Sequence, residues 1–210
     1  GDVADLTSIT DLADKYNASV YVDEAHSLGV FGEQGRGICN HLGLTDKVDL
    51  IMGTFSKSLA TIGGFIATDA ETINFLKHHS RSYIFSASIS PAATASVIAA
   101  LDVIKQEPER LKNLWEITNY SLSAFRSLGF EIGQTQTPII PLYIRDMDKT
   151  FMITQELYES GVFVNPVIPP ACSPNDTLIR FSLMATHTKS QIDEAVDKLT
   201  KVFRKYEIIK

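Results

Sequence analysis

The chain has 210 residues, 44% hydrophobic and 21% charged, a globular composition with apolar material for one large core or two modest ones. Its 19 basic and 25 acidic residues leave a formal charge of -6 with no basic run, so a nucleic-acid partner has no electrostatic support, and no apolar stretch is long enough for a transmembrane segment. The acidic opening "GDVADL" lacks a charged-then-apolar leader, and Cys39 and Cys172 lack metal-ligand spacing, so they read as reduced thiols of a cytoplasmic protein.

In chain order, "DLTSITDLADKY" carries Leu6, Ile9, Leu12 and Ala13 on one helical face. "SVYVDE" reads as a buried strand, rich in β-branched and aromatic residues. "HSLGVFGEQGRG", with four glycines in twelve residues, must be loop. "VDLIMGTF" and "GGFIAT" read as strands, "AETINFLKHHSRS" as a helix, "YIFSAS" as a short extended piece, and "PAATASVIAALDVIKQ" as a helix opening on Pro91. Helices alternating with continuously apolar strands predict a mainly parallel sheet flanked by helices. After Pro108 comes a long helix with Leu111, Leu114, Trp115, Ile117 or Thr118, Leu122 and Phe125 on its apolar side. "FEI", "PIIPLYI", "VFVN" and "TLIRFSLMA" then read as strands, and "DKTFMITQELYESG" as a helix ending at Gly161. Thr188 and Gln191 form a capping box that opens the last helix, whose face is Ile192, Ala195, Val196, Leu199, Val202 and Phe203. The expectation is an α/β chain of two domains, residues 1–107 and a smaller α/β domain at 108–210.

The chemistry-bearing stretches follow two strands. "VDEAHS" ends one strand in Asp23, and "GTFSKSLATIGGF" puts Lys57 beyond the other, where a buried ammonium is costly. A P-loop is excluded because Ser56 stands where glycine must precede the lysine. A triad of Asp23, His26 and Ser27 or Ser56 lacks the G-x-S-x-G elbow, and Asp23, Glu24 and His26 are too close along the chain to converge as metal ligands. Taken singly, each motif is equally well read as a surface loop with Lys57 reaching solvent. Together they fit pyridoxal 5'-phosphate, which needs a lysine for a Schiff base, an acid at its ring nitrogen and donors for its phosphate. Lys57, Asp23 and the hydroxyls of Thr54 and Ser56 supply that set, with Gly63 and Gly64 permitting close backbone approach. Arg180 alternates with Ile179 and Phe181 in an apolar strand, which suits either a bound carboxylate or an internal salt bridge.

"VYVDEAHSLGVFGEQGRG", "GTFSKSLATIGGF", "YIFSASISP" and "TLIRFSLMATHT" resemble, in order and spacing, the α-oxoamine synthases, fold-type I pyridoxal-phosphate enzymes that condense an amino acid with an acyl-CoA thioester. The resemblance implies that Lys57 is the Schiff-base lysine and moves the substrate's α-proton. It makes Asp23 the pyridinium partner and gives His26 the contact to the cofactor's phenolic oxygen. Thr54 then matches a phosphate ligand, with Ser56 secondary, and Ser86 and Ala87 match a segment reaching the phosphate in the neighbouring subunit of a homodimer. Arg180 matches the arginine that binds the amino acid's carboxylate, and His187 is expected to be structural. "TFSKS" and "GVFVNPVIPPA" are most similar to soluble bacterial members that join L-serine to a long-chain acyl-CoA, giving 3-ketosphinganine. Members that use alanine with a pimeloyl thioester, or glycine with acetyl-CoA, are the competing expectations. A different class of reading is a truncated, non-catalytic binding module. Family members carry an aromatic residue that stacks on the cofactor, and much of the acyl-CoA site, ahead of the stretch matched here. The chain is therefore expected to be a C-terminal portion that does not turn over alone, with residues 1–107 part of the cofactor-binding large domain.

Overall fold

The computed structural model describes residues 1–210, which divide into two compact units: Ala4–Leu111, and Lys112–Lys210 together with Gly1–Val3.

The first unit opens with α1 (Leu6–Tyr16), capped where Asp5 accepts from the Ser8 N–H and closed by Asn17 in the left-handed conformation. Strand β1 (Tyr21–Asp23) follows, then a glycine-rich loop, the single-turn α2 (Ile38–His41), β2 (Leu50–Thr54) and β3 (Gly64–Ala67). β2 is central. It pairs in parallel with β1, with Asp23 opposite Met52, and antiparallel with β3, with Thr54 opposite Gly64. The three strands of this unit thus carry one parallel and one antiparallel pairing. Leu6, Val20, Cys39 and Leu44 form the buried cluster beside this sheet, with Ala13, Val22, Ile38 and Ile51 packed on it. That cluster is narrow. It takes Leu6 and Ala13 from α1 but leaves Ile9 and Leu12 exposed, so the apolar face expected of α1 is buried only in part.

Helices α3 (Ala70–His79), α4 (Arg81–Ile84) and α5 (Pro91–Gln106) complete the unit. α3 starts where Asp69 accepts from the Glu71 and Thr72 N–H groups, and α5 starts at Ser90 with Pro91 in its first turn. The stretch "YIFSAS" is not extended at its start. Tyr83 and Ile84 form the helical turn α4, because the Ser80 hydroxyl accepts from the Tyr83 N–H and no strand lies alongside to pair with it.

α6 (Glu109–Ser127) leads into the second unit. There β4 (Ile139–Tyr143), β6 (Leu178–Ser182) and β5 (Asn165–Val167) make an antiparallel sheet with β6 central. α7 (Met147–Glu159) and α8 (Lys189–Lys205) are its other helices. Phe125 lies edge-on to Phe130 and Phe181 at 5.1 Å each, and Phe130 meets Phe203 at 4.9 Å, so α6, β6 and α8 share one aromatic core. Ile140, Leu142, Ile153, Leu157, Ile179 and Leu199 are fully buried around it. Two expected strands fall elsewhere. "FEI" buries Phe130 and Ile132, but its link to β4 is the Tyr143 N–H to Glu131 carbonyl bond at 3.0 Å, too little for a ladder. "VFVN" yields to a strand beginning at Asn165, because the Val162 N–H is spent on the Leu157 carbonyl, closing α7.

Thr188 and Gln191 cap α8 reciprocally, through side chain to backbone bonds in both directions. Thr188→Ala in the whole protein should cost about 1 kcal/mol in chemical denaturation, with the slope unchanged. Arg145 joins Glu131 and Asp176 and lies 4.8 Å from the Tyr143 ring centre. Its hydrogen bond holds the Glu131 carboxyl below the ordinary carboxylate range. A carboxyl depressed in the folded state adds stability above its unfolded pKa and loses it as pH falls through the folded value. Arg145→Ala should therefore lower Tm at neutral pH, and the gap to the parent protein should close as acid protonates Glu131, which thermal melts across pH will read.

Candidate active site

The β1–β2 pairing brings together two of the three groups of residues that the sequence marks. Parallel strands end on the same side, so the chain leaving β1 at Asp23 and the chain leaving β2 at Thr54 emerge side by side. The Glu24 N–H donates to the Met52 carbonyl at 2.7 Å, extending the pairing one residue past β1. Asp23 is exposed at this edge, and its Oδ1 accepts from the Ala25 N–H at 2.8 Å, which turns the chain sharply toward His26. His26 is exposed on the same turn.

The loop from β2 to β3 is tied at its base. The Phe55 N–H donates to the Gly63 carbonyl, and the Thr61 N–H to the Phe55 carbonyl, at 2.9 Å each. Inside it the Ala60 N–H returns to the Lys57 carbonyl at 3.0 Å, with Ala60 in the left-handed region at φ 52°. Thr54 Oγ1 and Ser56 Oγ are 2.9 Å apart, and Thr54 Oγ1 also accepts from the Ser56 N–H at 3.3 Å. Two hydroxyls converging beside an open amine make a donor set suited to a phosphate. The Lys57 side chain itself is exposed. Within this chain the lysine sits in a turn three residues beyond the strand, outside the packed part of the sheet. The glycines also act differently from expectation. A Cβ on Gly64 would lie 2.7 Å from the Gly53 carbonyl oxygen, so the close approach it allows is between β2 and β3. Gly63, at φ 117°, makes the turn into β3.

Three features of this edge carry no sequence motif. Glu24 is 1% exposed, yet Oε1 accepts from the Cys39 N–H at 2.8 Å and Oε2 accepts from the Ile38 N–H at 2.7 Å and from the Ser27 hydroxyl. Burial, together with this carboxyl, pushes the Cys39 thiol up to about 12. Gly37, at φ 107°, lacks the Cβ that would strike Glu24. Ser58 Oγ donates to the Leu28 carbonyl at 2.6 Å, crossing from the lysine loop to the histidine loop. The sequence gives Glu24 no signal that sets it apart from its neighbour Asp23, and its role becomes legible only when α2 folds over it.

Ser86 and Ala87 lie on the exposed connection between α4 and α5, beside the exposed Phe85 and Ile89. Arg180 lies on β6 of the second unit, opposite Pro141 of β4 and Asn165 of β5. It is half-buried, no Asp or Glu pairs with it, and its Nε is buried without a hydrogen-bond partner. The internal salt bridge is thus absent, and a guanidinium with an unanswered buried donor is set for an added planar anion. His187 accepts from the Met184 N–H through Nδ1 at 3.2 Å, and burial lowers its pKa, as fits a structural group that pins the turn before α8.

The sequence profile of the family Aminotransferase class I and II matches residues 1–199. The chain is 64% identical over 209 residues to the serine palmitoyltransferase of Bacteroides ovatus, covering 100% of this chain and 53% of that protein. It is 40% identical over 209 residues to the 8-amino-7-oxononanoate synthase of Fervidobacterium nodosum, again covering 100% of this chain and 53% of that protein. A solved structure described as SPT with PLP internal aldimine superposes with a TM-score of 0.94 at 32% identity, over 100% of this chain and 53% of that one. The chain spans about half the length of the curated relatives it matches. No helix is long and apolar enough to cross a membrane. Profile match and geometry agree, and the chain belongs to the class I and II aminotransferase family.

Proposed function

We propose that the whole protein is a pyridoxal-phosphate-dependent serine palmitoyltransferase of the α-oxoamine synthase type, joining the α-carbon of L-serine to the acyl carbon of a long-chain acyl-CoA with release of free CoA and CO2 to give 3-ketosphinganine. The observation that carries the reading is the shared strand edge, where Asp23 and His26 stand beside Thr54, Ser56 and Lys57. The identity to a serine palmitoyltransferase, 64% against 40% for the 8-amino-7-oxononanoate synthase, favours serine and a long chain over alanine and a pimeloyl thioester.

The residues present fit the cofactor. Thr54 and Ser56 would hold its phosphate, Lys57 its aldehyde carbon, Asp23 its ring nitrogen and His26 its phenolic oxygen. When bound, pyridoxal phosphate supplies an electron sink for negative charge left on the substrate's α-carbon. Asp23 would keep that ring nitrogen protonated, since an anion beside a pyridinium favours the charged form. The Lys57 amine would take the α-proton at Nζ and later return one to the product. Arg180 grips the serine carboxylate through its planar fork, answering the Nε donor that has no protein partner. The His26 imidazole would offer a donor to the thioester oxygen as charge builds there. We place the working unit as a homodimer in the cytoplasm, with Ser86 and Ala87 reaching the partner's phosphate. Exposed Tyr83, Ile84, Phe85 and Ile89 around that segment, and two free cysteines, support this.

Lys57→Ala in the whole protein should abolish the borohydride-trappable cofactor adduct, and an adduct that survives removes Lys57 from its role. Arg180→Ala should raise KM for serine about ten- to a hundred-fold, the loss of charge-assisted bonds to a carboxylate, while leaving the acyl-CoA KM near the parent value. Equal loss for both substrates contradicts the assignment. Product analysis with serine, alanine and glycine against thioesters of several lengths decides between the two named activities.

A further inference from the structure

Nothing in the chemistry above uses Glu24 or Ser58, yet both are spent on the loops that carry Asp23, His26 and Lys57. Glu24 sits between Asp23 and His26 in sequence and turns the opposite way, into the protein. Its carboxyl gathers the Ser27 hydroxyl and the Ile38 and Cys39 N–H groups, so it holds both ends of the stretch from Ala25 to Gly37. Its own carbonyl accepts from the Ser27 and Leu28 N–H groups at 3.0 and 2.9 Å, closing the turn that presents His26. The stretch has no helix or strand of its own beyond the three-residue turn Glu33–Gly35, so its shape rests on these bonds at its ends and on loop bonds such as the Gly29 N–H to Gly35 carbonyl at 2.7 Å and the Gly37 N–H to Phe31 carbonyl at 2.8 Å. Ser58 then joins the two loops. Its hydroxyl reaches the Leu28 carbonyl at 2.6 Å, and the contact is so close that a Cβ on Gly29 would lie 2.5 Å from Ser58 Cβ. Gly35 packs on Gly29 in turn, where a Cβ would lie 2.8 Å from the Gly29 Cα.

We propose that Glu24 and Ser58 are positioning residues: Glu24 fixes the Asp23–His26 turn from behind, and Ser58 locks the Lys57 loop to it at Leu28. The inference rests on the cofactor assignment above, because what is being positioned is the set that would hold the cofactor. A carboxyl suits the place of Glu24 because all three of its neighbours donate. An amide of the same shape would turn an NH2 toward one of them and leave a buried donor unanswered.

The test uses the whole protein with three readouts. In the cofactor-free form, Glu24→Gln should speed hydrogen–deuterium exchange across residues 25–39 while α8 stays protected. In the loaded form, Glu24→Gln and Ser58→Ala should each weaken cofactor binding, Ser58→Ala by about three- to ten-fold as one lost hydrogen bond implies. Each should also move the pH midpoint of the bound cofactor's visible absorbance by about half a unit or more, since the charges around Lys57 shift relative to one another. A residue that only stabilised the fold would lower Tm without moving that midpoint. If Glu24→Gln does not fold, Ser58→Ala, at an exposed site, carries the test alone. Unchanged midpoint and affinity in a folded variant overturn the proposal. A parent protein that binds no pyridoxal phosphate instead overturns the cofactor reading, so the two failures are distinct.

Discussion

The parallel pairing of β1 with β2 is the constraint from which the rest follows. Because the two strands run the same way, both leave the sheet at one edge, and residues 23–28 and 54–58 become neighbours although about thirty positions separate them in the chain. The register matters as much as the pairing. With Asp23 opposite Met52, the aspartate stands at the last rung and the hydroxyls of Thr54 and Ser56 begin just beyond it. A slip of one residue would turn Asp23 to the other face and carry Glu24 to the open edge. The buried carboxyl of Glu24 opposes such a slip, since two of its three donors, the Ile38 and Cys39 N–H groups, lie on α2.

The site edge and the interior are therefore joined by alternation along one strand end. Asp23 faces out and is free to meet a ligand, while Glu24 faces in and is consumed by protein. Two adjacent acids thus take opposite tasks, set by the period of the strand rather than by their own chemistry. The second unit follows a similar rule on β6. Ile179 and Phe181 point into the aromatic core, and Arg180 between them takes the other face with a donor unanswered. In both units a polar group is turned off the core because its neighbours in sequence are held by it.

How far the sequence could be read differs by kind of signal. Elements whose own residues encode them were legible: α8 through its Thr188–Gln191 box, α5 through Pro91, β2 through its apolar run and β6 through the apolar residues around Arg180. Elements that depend on a neighbour were not. "FEI" and "VFVN" have strand composition, but strands require a partner ladder, and theirs was taken by a loop bond and a helix end. "YIFSAS" turns helical at Tyr83 because Ser80 caps it, a choice of about a hydrogen bond's weight that composition does not reveal.

The sequence alone determined which residues are candidates for the chemistry, because Lys57, Asp23, His26, Thr54, Ser56 and Arg180 are marked by residue type and spacing along a single chain. It also determined that helices and apolar strands alternate, since hydrophobic period is a local property. Only the tertiary structure decided that Lys57 is exposed, that Glu24 is the buried hub and that Ser58 spans two loops. Those facts rest on contacts between segments far apart in the chain, and the depth of a side chain or the partner of a hydroxyl has no local code.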